Sequence, residues 1–197
     1  MKFMRNEEGF TGLEAAIVLI AFVVVAAVFS YVMLGAGFFT SQKSQEVVHT
    51  SVDTASASLE VRGDVIGRDN TTNQKINVIE FAVAQTAGGT PVDLNSTVLT
   101  YATDEGVWIL DQVYKTADLA PGKWMLKESI NGDGDTLVEK GELAIIQADI
   151  GGDGTATFPA ELVANENFNL EIQPADGAAL GLKRTAPPQI DNVNLLY

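Results

Sequence analysis

Twenty-five consecutive residues, Ala15 to Phe39, carry no charge, and their only polar interruptions are Ser30 and Tyr31. As a helix rising about 1.5 Å per residue, such a run spans about 37 Å, enough to cross the ~30 Å hydrocarbon layer of a bilayer. It is apolar all round rather than along one stripe. A helix made from it must therefore be covered on every side, by lipid or by protein.

The character changes between Ser41 and Glu60, where polar residues dominate and Val48, Val52, Ala55 and Leu59 recur at spacings of four, three and four. That spacing predicts one apolar stripe on an otherwise polar helix. No proline interrupts Phe10 to Glu60, and Gly35 and Gly37 are of a kind that membrane helices tolerate. The reading is one nearly continuous helix over residues 10–62, about 75 Å long, preceded by a short polar segment, residues 1–9.

From Gly63 onward the chain reads as short strands between turn signals. The expected strands are Ile76–Ala84, Thr97–Tyr101, Val107–Tyr114, Lys123–Ile130, Leu143–Asp149 and Phe168–Gln173, with Gly88–Gly89, Pro121–Gly122, Asn131–Gly132 and Gly151–Gly152 between them. Phe168, Leu170 and Ile172 alternate with Asn169 and Glu171, the pattern of a half-buried strand. The expected fold class is α+β: a long hydrophobic N-terminal helix followed by an all-β sandwich or barrel, Ig-like, over residues 63–197. Trp108 and Trp124 lie in apolar strand runs and are expected in its core.

The remaining composition excludes several functions. With 26 acidic against 12 basic side chains the net charge is −14, which repels phosphate backbones and disfavours nucleic acid. Zero cysteines remove thiol catalysis, disulfides and zinc–thiolate sites. The single histidine, His49, falls in the polar helical stretch, where it reads as a solvated side chain rather than a general base. No phosphate-binding glycine loop of the G-x-x-x-x-G-K-[ST] kind is present, so a nucleotide-driven motor is not built into this chain. The acidic pairs Asp104/Glu105 and Glu139/Glu142 read as surface charge, and no enzymatic activity is expected.

The N-terminal segment is not an ordinary secretory signal. Its apolar stretch is too long, no small-x-small site follows it, and the glycine suited to cleavage, Gly9, comes before it. Gly9-Phe10-Thr11-Gly12-Leu13-Glu14 followed by a long apolar helix resembles the class III signal of type IV pilins and archaellins, and the run from Phe10 to Val48 resembles archaellins more closely. The resemblance is specific over about residues 9–67. It implies cleavage between Gly9 and Phe10 by a membrane-embedded peptidase, with Lys2 and Arg5 holding the leader in the cytoplasm. Glu14 would become the fifth residue of the mature chain, a hallmark of the family, and could pair with a new α-amino group there. It further implies a precursor in the cytoplasmic membrane and a mature homopolymer, or a co-polymer with other archaellins, on the cell surface. The archaellum platform and a separate motor would turn that filament for swimming. An adhesive pilin subunit and a single-span protein with a surface-exposed β binding domain are the rival readings.

Three smaller constellations remain in the β region. Asn70-Thr71-Thr72 and Asn95-Ser96-Thr97 are N-glycosylation acceptors, and archaellins are commonly glycosylated. Asn131, Asp133, Asp135 and Glu142 have the one, three, five, twelve spacing of a Ca2+ loop, but Thr136 stands where that loop needs glycine, and an acidic hairpin turn is the simpler reading. Asp149-Ile-Gly-Gly-Asp153-Gly is a second, weaker acidic turn.

Overall fold

A computed structural model describes residues 8–71, 73–113, 119–152 and 159–197, with side chains from residue 12 onward. Residues 1–7, Thr72, Tyr114 and Asp153 fall outside them, and with these go most of the leader, the last sequon position, the end of one expected strand and part of the second acidic turn. The chain divides into two units, residues 1–50 and residues 51–197.

The described residues of the first unit are helix. α1 runs Glu8–Ser56 over 49 residues without a break, its last turns belonging to the second unit. Straight and β-branched apolar residues with no proline leave every interior backbone hydrogen bond intact. Its end is a correction to the expected boundary at 62. The helix stops at Ser56, and Leu59, expected on the helical stripe with Val48 and Val52, lies in a strand and is buried. The reason is tertiary: Leu59–Val61 pairs with Val83–Gln85, which offers its backbone a ladder that continued helix would forfeit.

Twelve strands follow among the described residues: β1 Leu59–Val61, β2 Val65–Arg68, β3 Val78–Gln85, β4 Val92–Asp93, β5 Val98–Ala102, β6 Val107–Gln112, β7 Lys123–Ile130, β8 Leu137–Val138, β9 Leu143–Asp149, β10 Asn167–Gln173, β11 Leu180–Thr185 and β12 Val193–Leu196. The hydrogen-bonded path runs β11-β10-β5-β6-β7-β9-β3-β2-β12, with β1 alongside one end of β3 and β4 paired with β8 apart from it. Neighbours are antiparallel except β6 and β7, which meet in parallel through Asp111 opposite Lys123 and Gln112 opposite Trp124. At the other end of the path Thr185 N–H donates to the Tyr197 carbonyl at 2.7 Å and Tyr197 N–H returns to the Thr185 carbonyl at 3.3 Å. The sheet thereby closes on itself into a near-barrel, consistent with the expected sandwich or barrel class.

The core fills that enclosure. Phe168, Leu170 and Ile172 of β10 point in, as their alternation predicts. Tyr101 stacks on Trp108 with ring centroids 5.9 Å apart and meets Phe168 at 6.2 Å. Trp108 and Trp124 are both buried, with Trp124 at the parallel seam between β6 and β7. The Tyr101 hydroxyl reaches the Ala160 carbonyl at 3.3 Å, and burial pushes its ionisation well above the ordinary tyrosine range.

Candidate assembly surface

The candidate functional surface is the flank of α1. Each residue from Gly12 to Ala55 is exposed. Between Leu13 and Phe39 that exposure includes seventeen large apolar side chains, from 55% for Val23 and Met33 to 80% for Tyr31. Soluble proteins leave apolar residues on the surface singly or in patches of a few hundred Å². A continuous apolar rod exceeds that by far, and its exposure marks it as a surface made to be covered.

The rod is not smooth. Where Gly37 lacks a side chain, Ser30, Met33, Leu34, Phe38 and Ser41 border a shallow notch. A second runs beside Glu14, Ala15, Val18, Leu19 and Phe22. Knobs such as Phe22 and notches such as that at Gly37 are what helix-to-helix packing interlocks. After Phe39 the surface turns polar. Thr40 caps back onto the Ala36 carbonyl at 2.8 Å, and Lys43 pairs with Glu46 at 2.7 Å, an exposed contact worth a fraction of a kcal/mol.

Glu14 lies in the second turn of α1 with its side chain exposed, at the lower border of the apolar run. Gly9 and Phe10 belong to the first helical turn. Here the macrodipole favours a carboxylate. His49 is an exposed helical residue.

The last turn of α1 is welded into the β unit. The Asp53 carbonyl accepts from Ala57 N–H at 2.8 Å, from the Ser56 hydroxyl at 3.1 Å and from the Thr90 hydroxyl at 3.1 Å. Ser58 and Thr86 hydroxyls lie 2.6 Å apart, and the Ala57 carbonyl accepts from Ala178 N–H at 3.0 Å. Gly177, at φ +120°, permits that approach: a Cβ there would stand 2.1 Å from the Ala57 oxygen. Nothing in the local sequence of the helix pointed to Gly177, because the contact spans 120 residues.

Both sequon asparagines are exposed. Asn70 follows β2 on a turn held by Asp69, whose carboxylate accepts from Thr71 N–H at 3.0 Å and Gln74 N–H at 2.8 Å. Asn95 sits in the 3-10 turn Leu94–Ser96, capped by Asp93, while the Thr97 hydroxyl is buried and donates to the Asp93 carbonyl at 2.9 Å.

The acidic loop uses its side chains locally. Asp133 accepts from Asp135 N–H at 3.2 Å, Asp135 from Leu137 N–H at 2.9 Å, and Glu142 from Glu139 N–H at 3.0 Å, while the Asn131 amide reaches the Gly141 carbonyl at 3.4 Å. Each side chain is spent on a neighbouring backbone group, as in Asx turns. Among the described residues no three His, Asp or Glu side chains converge into a cation cage. These contacts fit the hairpin-turn reading of Asn131, Asp133, Asp135 and Glu142.

Comparison with known proteins gives this surface its setting. The sequence profile of archaeal-type flagellin matches residues 9–184. Two proteins of Archaeoglobus fulgidus, probable flagellin 2 and probable flagellin 1, are 44% and 40% identical over 99% and 100% of this chain and 97% and 98% of their own lengths. The archaeal flagellum of Methanospirillum hungatei strain JF1 has a subunit of similar structure, with TM-score 0.72, 33% identity, and coverage of 94% of this chain and 99% of that one. The chain belongs to the archaeal-type flagellin family and is a structural subunit of the archaeal flagellum.

Proposed function

We propose that this subunit polymerises through α1. The observation that carries the reading is the uncovered apolar flank between Leu13 and Phe39. Burying seventeen such side chains at about 1.5–3 kcal/mol each favours association by tens of kcal/mol before the entropy of ordering is subtracted. In the precursor, lipid supplies that cover, and mean hydropathy over the helix is sufficient for a membrane span. In the mature filament, other copies supply it. A head-to-tail contact that does not close on itself gives a helical polymer.

On this reading a membrane-embedded peptidase cuts between Gly9 and Phe10. Glu14, four residues from the new amine, then neutralises that charge on its own or a neighbouring chain. The closed β unit forms the outer part of an extracellular filament, and Asn70 and Asn95 carry its glycans. The subunit is structural and not catalytic; a separate membrane platform with an ATP-driven motor supplies rotation. The test is an electron micrograph of sheared surface filaments combined with N-terminal sequencing. Filaments whose chain starts at Phe10 support the reading, whereas a chain retaining Met1 in detergent-soluble monomers refutes it.

A further inference from the structure

The outer face of the β unit carries two apolar patches that its own fold leaves bare. On β6, Val107 and Ile109 are 68% and 69% exposed, and on the adjoining β5 Ala102 stands opposite Val107 while Thr100 stands opposite Ile109. Val193 and Leu195 of β12 and Tyr197 just after it are 56%, 54% and 64% exposed, with Ile66 of β2 opposite Leu195. Counting along the closed ring, β6 is four strands from β12 through β5, β10 and β11, and five through β7, β9, β3 and β2. The two patches therefore face nearly opposite ways.

We propose that these patches are the two halves of one lateral contact: β6 of one subunit docks on β12 of the next copy in the filament. This rests on the filament-subunit reading. A second copy is the partner that brings both surfaces in equal number, and patches on opposite sides of one subunit match a heterologous contact, which propagates instead of closing. Their margins are compatible. Asp104, Glu105 and Asp111 border the first patch, with Lys123 opposite Asp111, while Arg68, already paired with Glu80 at 3.2 Å, stands opposite Val193 and Lys183 lies two residues before Thr185, the pairing partner of Tyr197. Asp191 also flanks the second patch, so apolar burial carries the contact and charge orients it. β12 is moreover a strand that pairs along one side with β2 and along the other, among the described residues, only through Tyr197. Covering it with a neighbour protects an apolar edge that would otherwise invite non-specific pairing.

The chain has no cysteine, which permits a direct test. The full chain is expressed in filaments with I109C and L195C together and with each alone, then treated with an oxidant or a short bifunctional maleimide. The expected result is a ladder of covalent oligomers from the double variant and monomers from each single variant. Ladder-free filaments from I109C/L195C and from the companion pair V107C/V193C overturn the proposal, as does a covalent dimer from either single variant. If neither pair assembles, radical footprinting of unaltered filaments decides. Protection of Ile109 and Leu195 relative to detergent-dispersed chains, with exposed Val163 unchanged, supports the contact; equal reactivity in both states overturns it. Filaments without a ladder would sink the patch contact alone, whereas failure of the unaltered chain to form any filament would sink the subunit reading.

Discussion

Thr185 and Tyr197 exchange both of their backbone hydrogen bonds, at 2.7 and 3.3 Å, and this single pair joins the first and last strands of the sheet path. Elsewhere neighbouring strands share up to seven paired positions, as β7 and β9 do, so the closure is the thinnest seam in the wall. Deleting Tyr197 removes both bonds. The expected cost is about 1–3 kcal/mol, read as a lower unfolding temperature of the detergent-dispersed full chain, together with faster hydrogen exchange at the Thr185 amide than at Leu182.

Gly177 and Gly134 separate backbone strain from collision. Both have positive φ, +120° and +103°, but a Cβ at Gly134 meets nothing within 4 Å whereas one at Gly177 strikes the Ala57 carbonyl. Gly134→Ala is expected to cost about 1 kcal/mol from strain. Gly177→Ala must also push apart the contact between Ala178 N–H and Ala57, and is expected to cost at least twice as much. Thermal unfolding of the two variants side by side measures the difference.

Glu80 supplies the pH dependence. Its Oε2 accepts from Gln147 at 2.9 Å, Lys127 at 3.0 Å and Arg68 at 3.2 Å. Burial pushes its carboxyl up, but the hydrogen bonds from Lys127 and Gln147 and the charges of Lys127 and Arg68 outweigh that and hold it below its ordinary value. A lowered folded-state pKa means the stabilisation is fully present above the unfolded carboxylate range, near about 4.3, and is lost as pH falls through the folded value. Asp149 has the opposite sign. Burial and the Glu161 charge raise it against the Gly151 N–H, so its ionised form opposes folding at neutral pH and the opposition fades in acid. Glu80→Gln should therefore lower the unfolding temperature at neutral pH, by about 1–3 kcal/mol in stability, and lose less than the unaltered chain on acidification. A temperature–pH unfolding series on both chains checks it.

On the proposed function, Glu14 acts in assembly. Glu14→Ala leaves the apolar flank intact and should leave membrane insertion and leader removal unchanged. Filament mass is expected to fall at least tenfold, about 1.4 kcal/mol per subunit contact or more. The readout is sheared filament protein against processed subunit retained in the membrane; equal filament yield would remove Glu14 from the mechanism.

The helix was legible because its signal is long and uninterrupted, from Ala15 to Phe39. Its end was not, since Val48, Val52, Ala55 and Leu59 keep helical spacing although Leu59 pairs with Gln85 in a strand. Strands with a clear inward alternation, such as β9 and β10, could be read almost to the residue. β12 could not, because its pattern is inverted. Buried Asn194 faces inward, held by the Asp191 N–H and carbonyl, while Val193 and Leu195 face out. β11 hid behind Gly181, Lys183 and Arg184. The spacing of Asn131, Asp133, Asp135 and Glu142 is ambiguous for a different reason: oxygens at those intervals serve the backbone of a turn, as Asp133 and Asp135 do, as readily as a cation. The apolar strand run pointed to a buried Trp108 but is silent on whether Val107 and Ile109, on the face opposite Trp108 and Leu110, meet water or a neighbour.

The most direct test of the whole account is sedimentation of mature chains, beginning at Phe10, after detergent is removed in plain buffer. Sheathing of one apolar helix by others predicts that the protein leaves the monomer fraction and pellets as filaments. Discrete soluble monomers under those conditions would contradict it.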